Sequence, residues 1–268
     1  MNIKRIFSDM DGTILNSKGK VSEGNARMIC KAEIPITLVS ARAPMEMQDA
    51  IETLNLTGVQ VAFNGGLIYQ MENGEVKPIH MEVIKKEITE IILKNVRQYF
   101  PKVSLSFYDL TNWYCDTIDE GIRYEHELTG QYATIIENTE MFLQGKSNIF
   151  KIMMISFDEE IIVKLEKFLR ELNLEEVTIQ RSGKAYLEIT HKLAKKSSGI
   201  VYIMQSEKLT KEETAAFGDG HNDLPMLEMV GYPIVMNNAL DDIKRIAYRV
   251  TKTNDEDGVG YGIEKFLK

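Results

Sequence analysis

Ile6-Phe7-Ser8-Asp9-Met10-Asp11-Gly12-Thr13-Ile14-Leu15 sets two carboxylates two residues apart, where an apolar run meets a glycine. The run from about Ile3 to Ser8 predicts a buried strand that delivers Asp9 and Asp11 to its C-terminal mouth. Alternate residues of an extended chain face the same way, so both carboxylates are expected to point into one pocket. Gly12 lets the backbone turn sharply behind them. Two like charges brought together need a cation between them, or one must stay protonated. The bland alternative is a turn whose aspartates cap local N–H groups. A calcium loop of the EF-hand kind is excluded. Counting from Asp9, the ninth to twelfth positions offer Ser17, Lys18, Gly19 and Lys20, with no closing glutamate.

Outward from this stretch, apolar strands alternate with amphipathic helices. Ser22 reads as the N-cap of a first helix. Ile34 to Val39 reads as a second strand, ending in Ser40-Ala41-Arg42. A helix follows at once, with Pro44 in its first turn and Met47, Ile51 and Leu54 on its buried stripe. Strand, small residue and helix N-terminus together favour an anion. Val59 to Phe63 is a third strand that Asn64-Gly65-Gly66 turns back, and Asn73-Gly74 makes a second hairpin turn. Late in the chain, Thr214 to Phe217 is a strand breaking into Gly218-Asp219-Gly220-His221-Asn222-Asp223. Tyr232 to Met236 follows, then Arg249-Val250-Thr251. Acidic or polar residues end several of these strands, where open α/β sheets bind ligands.

The middle has a different texture. A helical stripe from Ile84 to Tyr99 precedes Val103, Leu105 and Phe107, which alternate with Ser104, Ser106 and Tyr108 as in a half-exposed antiparallel strand. Further helix–strand–strand signals run to Ile189. The chain is therefore predicted as a doubly wound, mainly parallel α/β sheet at residues 1–82 and 191–268, split by an inserted α+β domain at residues 83–190.

Composition narrows the function. The 268 residues carry a net charge of −8 and are 44% apolar. An acidic surface argues against nucleic acid and anionic membrane as partners, but not against a small anion in a local positive pocket. Cys30 and Cys115 lie far apart and form no metal or redox spacing. The chain runs straight into a strand, and no apolar stretch approaches ~20 residues. A cytoplasmic protein is expected.

Asp9-Met10-Asp11-Gly12-Thr13, Ser40 at the end of a second strand, a lysine before a late helix and Gly218-Asp219-Gly220-His221-Asn222-Asp223 resemble the four motifs of the haloacid dehalogenase (HAD) superfamily. The insertion resembles its C2-type cap, subclass IIB, as in the Cof-type phosphatases. The resemblance spans the chain and implies a core of the HAD-like Rossmannoid kind. It also implies a Mg²⁺-dependent phosphatase acting on a small phosphorylated metabolite, such as a sugar phosphate, through an aspartyl phosphate. Asp9 would be the nucleophile and Asp11 the general acid and base. Met10, Ser40, Ala41, Lys196 and Asn222 would bind phosphate, Asn222 orienting either the phosphate or the lysine. Mg²⁺ would be held by Asp9, the Asp11 carbonyl and Asp219, with Asp223 a water-mediated partner. Two departures stand out. Ala41 replaces the usual glycine, and Lys195-Lys196-Ser197 replaces Lys-Gly, leaving Lys195 as an alternative to Lys196. A phosphomutase, or a non-catalytic binder of phosphometabolites, are the competing readings.

Overall fold

The computed structural model describes residues 1–145 and 148–268. Its contacts divide the chain into two units. One holds residues 1–42, 47–80 and 195–268; the other holds residues 43–46 and 81–194.

The first unit is built on a five-stranded sheet. Its order is Arg249–Val250, Tyr232–Val235, Thr214–Gly218, Arg5–Ser8 and Ile36–Leu38, and every pairing is parallel. Arg5–Ser8 is thus an inner strand, buried throughout. Helices flank both faces. Phe7 and Ala216 pack with Ile200, Ile203, Met226 and Leu227. Phe217, the next residue along its strand, instead meets Gly262 of the C-terminal helical segment. This is the doubly wound sheet expected, with an antiparallel three-stranded sheet of Gln60–Ala62, Leu67–Glu72 and Glu75–Met81 beside it.

Local chemistry explains the element ends. Ser22 Oγ accepts from Asn25 N at 3.0 Å, capping the helix Glu23–Ala32. Pro44 opens the helix Pro44–Thr53, where its missing N–H costs nothing. Asn73 and Gly74 both take positive φ, 53° and 81°, as a tight hairpin turn of the primed kind requires.

The second unit is α+β. Its six strands run in the order Val177–Ser182, Tyr186–His191, Lys151–Ile155, Ser104–Tyr108, Trp113–Cys115 and Thr134–Ile135, antiparallel except for the last pair. One face packs Leu105, Phe107, Ile152, Met154, Leu187 and Ile189 against helices Lys86–Tyr99 and Glu159–Glu171. The strand Ser104–Tyr108 departs from expectation, because it is buried on both faces. Its small polar side is covered by the helix Glu120–Thr129, where Gly121 N donates to Ser104 Oγ at 3.1 Å. A methyl group on Gly121 would stand 2.3 Å from that oxygen, so only glycine permits the approach.

The same helix carries Glu125 into the interior, where Tyr186 donates to its carboxylate at 2.7 Å. Burial raises the Glu125 carboxyl above its ordinary value, against the pull of that hydrogen bond. The folded chain therefore takes up this proton at higher pH than the unfolded chain does. Ionised Glu125 costs stability at neutral pH, and the cost is relieved as pH falls through the raised value. Glu125→Gln is expected to raise the melting temperature at neutral pH by about 2 °C, with the gain shrinking in acid. Melting curves across pH check this; a lower melting temperature at neutral pH would contradict it.

Candidate active site

The chain leaves the inner strand at Ser8, but Asp9 stays in the sheet's frame through its N–H, which donates to the Phe217 carbonyl at 3.0 Å. Its side chain is buried, and Lys196 Nζ donates to Asp9 Oδ1. Lys196 opens the helix Lys196–Ser206 and is itself only 1% exposed. Its ammonium also donates to Asp223 Oδ1 at 2.7 Å. Asp223 is fixed in turn, since Oδ2 accepts from Asp219 N at 3.0 Å and Gly220 N at 2.9 Å.

Asp219 reaches the same spot from the end of Thr214–Gly218. Thr13 Oγ1 donates to Asp219 Oδ1 at 2.7 Å. Gly12 lets this happen. It sits at φ 75°, and a Cβ there would lie 2.5 Å from Asp219 Oδ2. One carboxylate oxygen from each of Asp9, Asp219 and Asp223 lies within 4.8 Å of the other two.

Three carboxylates thus face one buried ammonium. Burial, then the charge of Asp223, raises the Asp9 carboxyl well above its ordinary value, while Lys196 pulls it back. Burial likewise raises Asp219, with Thr13 opposing. Burial works to lower Lys196, but Asp9 and Asp223 outweigh it and hold the ammonium charged. The set fits a hard cation. All its donors are carboxylate oxygens, and among the described residues nothing donates to the second oxygens of Asp9 and Asp219. Asp223 has both oxygens taken by Lys196 and two backbone N–H groups.

The other predicted residues fall out as follows. Asp11 does not point into the pocket with Asp9. It lies past the strand's end and past the reach of period-two alternation, and its exposed carboxylate is gripped by Arg42. Its charge still registers at Asp219. Met10 is buried, and its carbonyl accepts from Thr13 N and Leu15 N in the turn. Ser40 is buried at its strand end, with Oγ accepting from Arg42 N at 3.1 Å; Ala41 follows it, half-buried. Lys196, not Lys195, meets Asp9; Lys195 is exposed as the helix N-cap. Of the two alternatives for Asn222, holding the lysine falls to Asp223, one residue on. The Asn222 side chain lies against Gly220. His221 pairs with Asp242 at the surface.

Two contributions escaped the sequence. Thr13 belongs to the first motif but had no role assigned, and only the fold brings its hydroxyl to Asp219. The Asn64-Gly65 turn is more than a turn. Phe63, Asn64 and Gly65 all take positive φ, at 51°, 56° and 97°. Asn64 N donates to the Ser40 carbonyl at 2.8 Å, and Gly65 packs on the Lys195 carbonyl so closely that a Cβ would stand 2.1 Å away. The loop braces both Ser40 and the helix start that carries Lys196. A left-handed phenylalanine is backbone strain that the surrounding contacts must hold, as often at functional sites.

Comparison with known proteins places the chain in a family. Residues 6–263 match the family of haloacid dehalogenase-like hydrolases. A putative phosphatase of Haemophilus influenzae is 34% identical over 99% of this chain and 98% of its own length. A 5-amino-6-(5-phospho-D-ribitylamino)uracil phosphatase of Bacillus subtilis is 28% identical over 99% of this chain and 98% of its own. The crystal structure of a haloacid dehalogenase-like hydrolase from Bacteroides thetaiotaomicron superposes with a TM-score of 0.89 at 25% identity, covering 98% of this chain and 99% of that one. The chain belongs to the haloacid dehalogenase-like hydrolases, and among them it is an enzyme of the phosphatase class.

Proposed function

We propose that this protein is a Mg²⁺-dependent phosphatase that hydrolyses a small phosphorylated metabolite, such as a sugar phosphate, through an aspartyl phosphate. The observation that carries the proposal is the buried contact of Lys196 with Asp9, beside Asp219 and braced by Asp223. A lysine so held has no need of solvent and keeps its charge where a phosphoryl group would gather negative charge.

In this reading Asp9 attacks phosphorus in line and the alcohol leaves. Asp11 gives a proton to the departing oxygen, then takes one from the water that attacks the phosphoenzyme. Lys196 offsets charge on nucleophile and phosphoryl group, and Met10, Ser40, Ala41 and Asn222 line the phosphate. Mg²⁺ would be held by Asp9, Asp219 and the Asp11 carbonyl, and would supply the positive charge that lets one anion approach another. Asp223 acts through Lys196 and the Asp219 backbone. The proposal assigns the chemistry to residues 1–82 and 191–268 and substrate selection to residues 83–190. All four charged groups of the cluster come from the first of these. Cytoplasmic location belongs to the same reading, supported by two free thiols, which suit a reducing compartment. Among the described residues no helix is long and apolar enough to cross a membrane.

The test is phosphate release from an aryl phosphate and a panel of phosphorylated metabolites, with Mg²⁺ and with chelator. Free phosphate that rises only with metal supports the proposal. Isomers without free phosphate would point to a phosphomutase, and no turnover at all to a binder. Asp219→Ala is expected to lower activity at least ~100-fold and to shift the magnesium titration to much higher concentration. An unchanged titration would contradict its role as a ligand.

A further inference from the structure

Each carboxylate of the buried cluster is oriented by a neighbour on the inside: Asp9 by Lys196, Asp219 by Thr13, Asp223 by Lys196 and backbone N–H groups. Asp11 is different. Its side chain is 59% exposed, and among the described residues its carboxylate has one partner, Arg42. Arg42 Nε donates to Asp11 Oδ2 at 2.9 Å and Nη2 to Oδ1 at 2.6 Å. This is a two-pronged grip that fixes the plane of the carboxylate as well as its position.

The anchoring runs one way. Arg42 is the less exposed partner, at 20%. Its backbone is tied on both sides, for its N–H donates to Ser40 Oγ at 3.1 Å and its carbonyl accepts from Phe63 N at 3.0 Å. Both ties belong to the strand end and left-handed loop that brace the phosphate side of the site. Asp11 sits before the glycine turn, past the last residue of its strand. Arg42 is therefore fixed to the scaffold, and Asp11 is fixed to Arg42.

We propose that Arg42 is the positioning residue for Asp11, aiming the carboxylate that exchanges protons with the leaving oxygen and the attacking water. The inference rests on the phosphatase reading and deepens it. An exposed ion pair adds little to stability, so stability is not what this pair supplies. What it supplies is orientation. A proton donor must come within hydrogen-bond reach of the oxygen it serves, and a free carboxylate spends most of its time elsewhere. Arg42 forms no bond to phosphorus in this scheme and changes no step's proton balance. Asp11 still gives one proton to the alcohol and recovers one from water.

The proposal predicts a dependence on the leaving group. Phenyl phosphate and dinitrophenyl phosphate are similar in shape, but phenolate is a poor leaving group that needs a proton, and dinitrophenolate leaves without one. With Mg²⁺ present, Arg42→Ala is expected to lower kcat/KM on phenyl phosphate about 100-fold and on dinitrophenyl phosphate less than about threefold. Arg42→Lys recovers only part of the loss, because an ammonium cannot make the fork. Asp11→Asn combined with Arg42→Ala should lose no more on phenyl phosphate than Asp11→Asn alone, since Arg42 acts only through Asp11. Melting temperatures should show every variant folded at the assay temperature. Equal losses on both esters, or additive losses in the double variant, would overturn the proposal and make Arg42 a phosphate-binding or structural residue. Wild-type protein that frees phosphate from neither ester would instead overturn the phosphatase reading beneath it.

Discussion

Asp9→Asn is expected to lower turnover by at least ~10⁴-fold while the protein stays folded. The amide has the shape of the carboxylate but cannot form the acyl phosphate, so steady-state phosphate release should fall to the limit of detection. The fold should not suffer. Asp9 is one of three carboxylates around a single buried ammonium, and its own burial and the charge of Asp223 disfavour its ionised form. Neutralising it leaves Lys196 with Asp223 at 2.7 Å, and the cluster loses repulsion rather than support. Melting in chelator should be no lower than wild type. A variant that kept turnover within tenfold of wild type would remove Asp9 as nucleophile.

Lys196→Ala attacks the same cluster from the other side, with a different expected signature. It leaves Asp9 and Asp223 buried, close together and without a counter-charge. Breaking one side of a buried pair costs about 3–5 kcal/mol, because the partner's charge stays behind unpaired. Urea unfolding in chelator, where no cation can substitute, should report a loss of about 3 kcal/mol or more. Activity should fall as well. Lys195→Ala is the control: that side chain is exposed, and the change should stay within about 0.5 kcal/mol. If the two lysine variants unfold alike, Lys196 is not the counter-charge that holds the buried carboxylates together.

What could be read beforehand followed from where local rules hold. The Ser22 cap, the Pro44 helix start and the Asn73-Gly74 turn depend on a few adjacent residues, so sequence spacing suffices. The convergence of Asp9 and Asp219 was legible for another reason. Both follow apolar strands that feed helices, and a parallel sheet puts all such strand ends on one edge. The misreadings share a cause, since each asked a local rule to act beyond its element. Alternation was extended to Asp11, but the strand stops at Ser8. Alternation also promised Ser104–Tyr108 an exposed face, and the pattern could not reveal that a helix with a glycine at the contact covers it. Lys195 and Lys196 are chemically identical neighbours. Which one turns inward is set by where the helix begins, to within one residue. The same one-residue question, on a tighter turn, decides that Asp223 and not Asn222 meets Lys196.

The order of strands in the central sheet has a consequence for synthesis on the ribosome. Arg5–Ser8 finds one neighbour early, at Ile36–Leu38, but its other neighbour is Thr214–Gly218. Some ~200 residues separate the two, so at ~5–20 residues per second the nascent chain carries an open, apolar edge for roughly 10–40 s before its mate emerges. During that wait residues 81–194 can complete their own sheet. The amino-terminal strand is therefore the segment a ribosome-associated chaperone would need to shield longest.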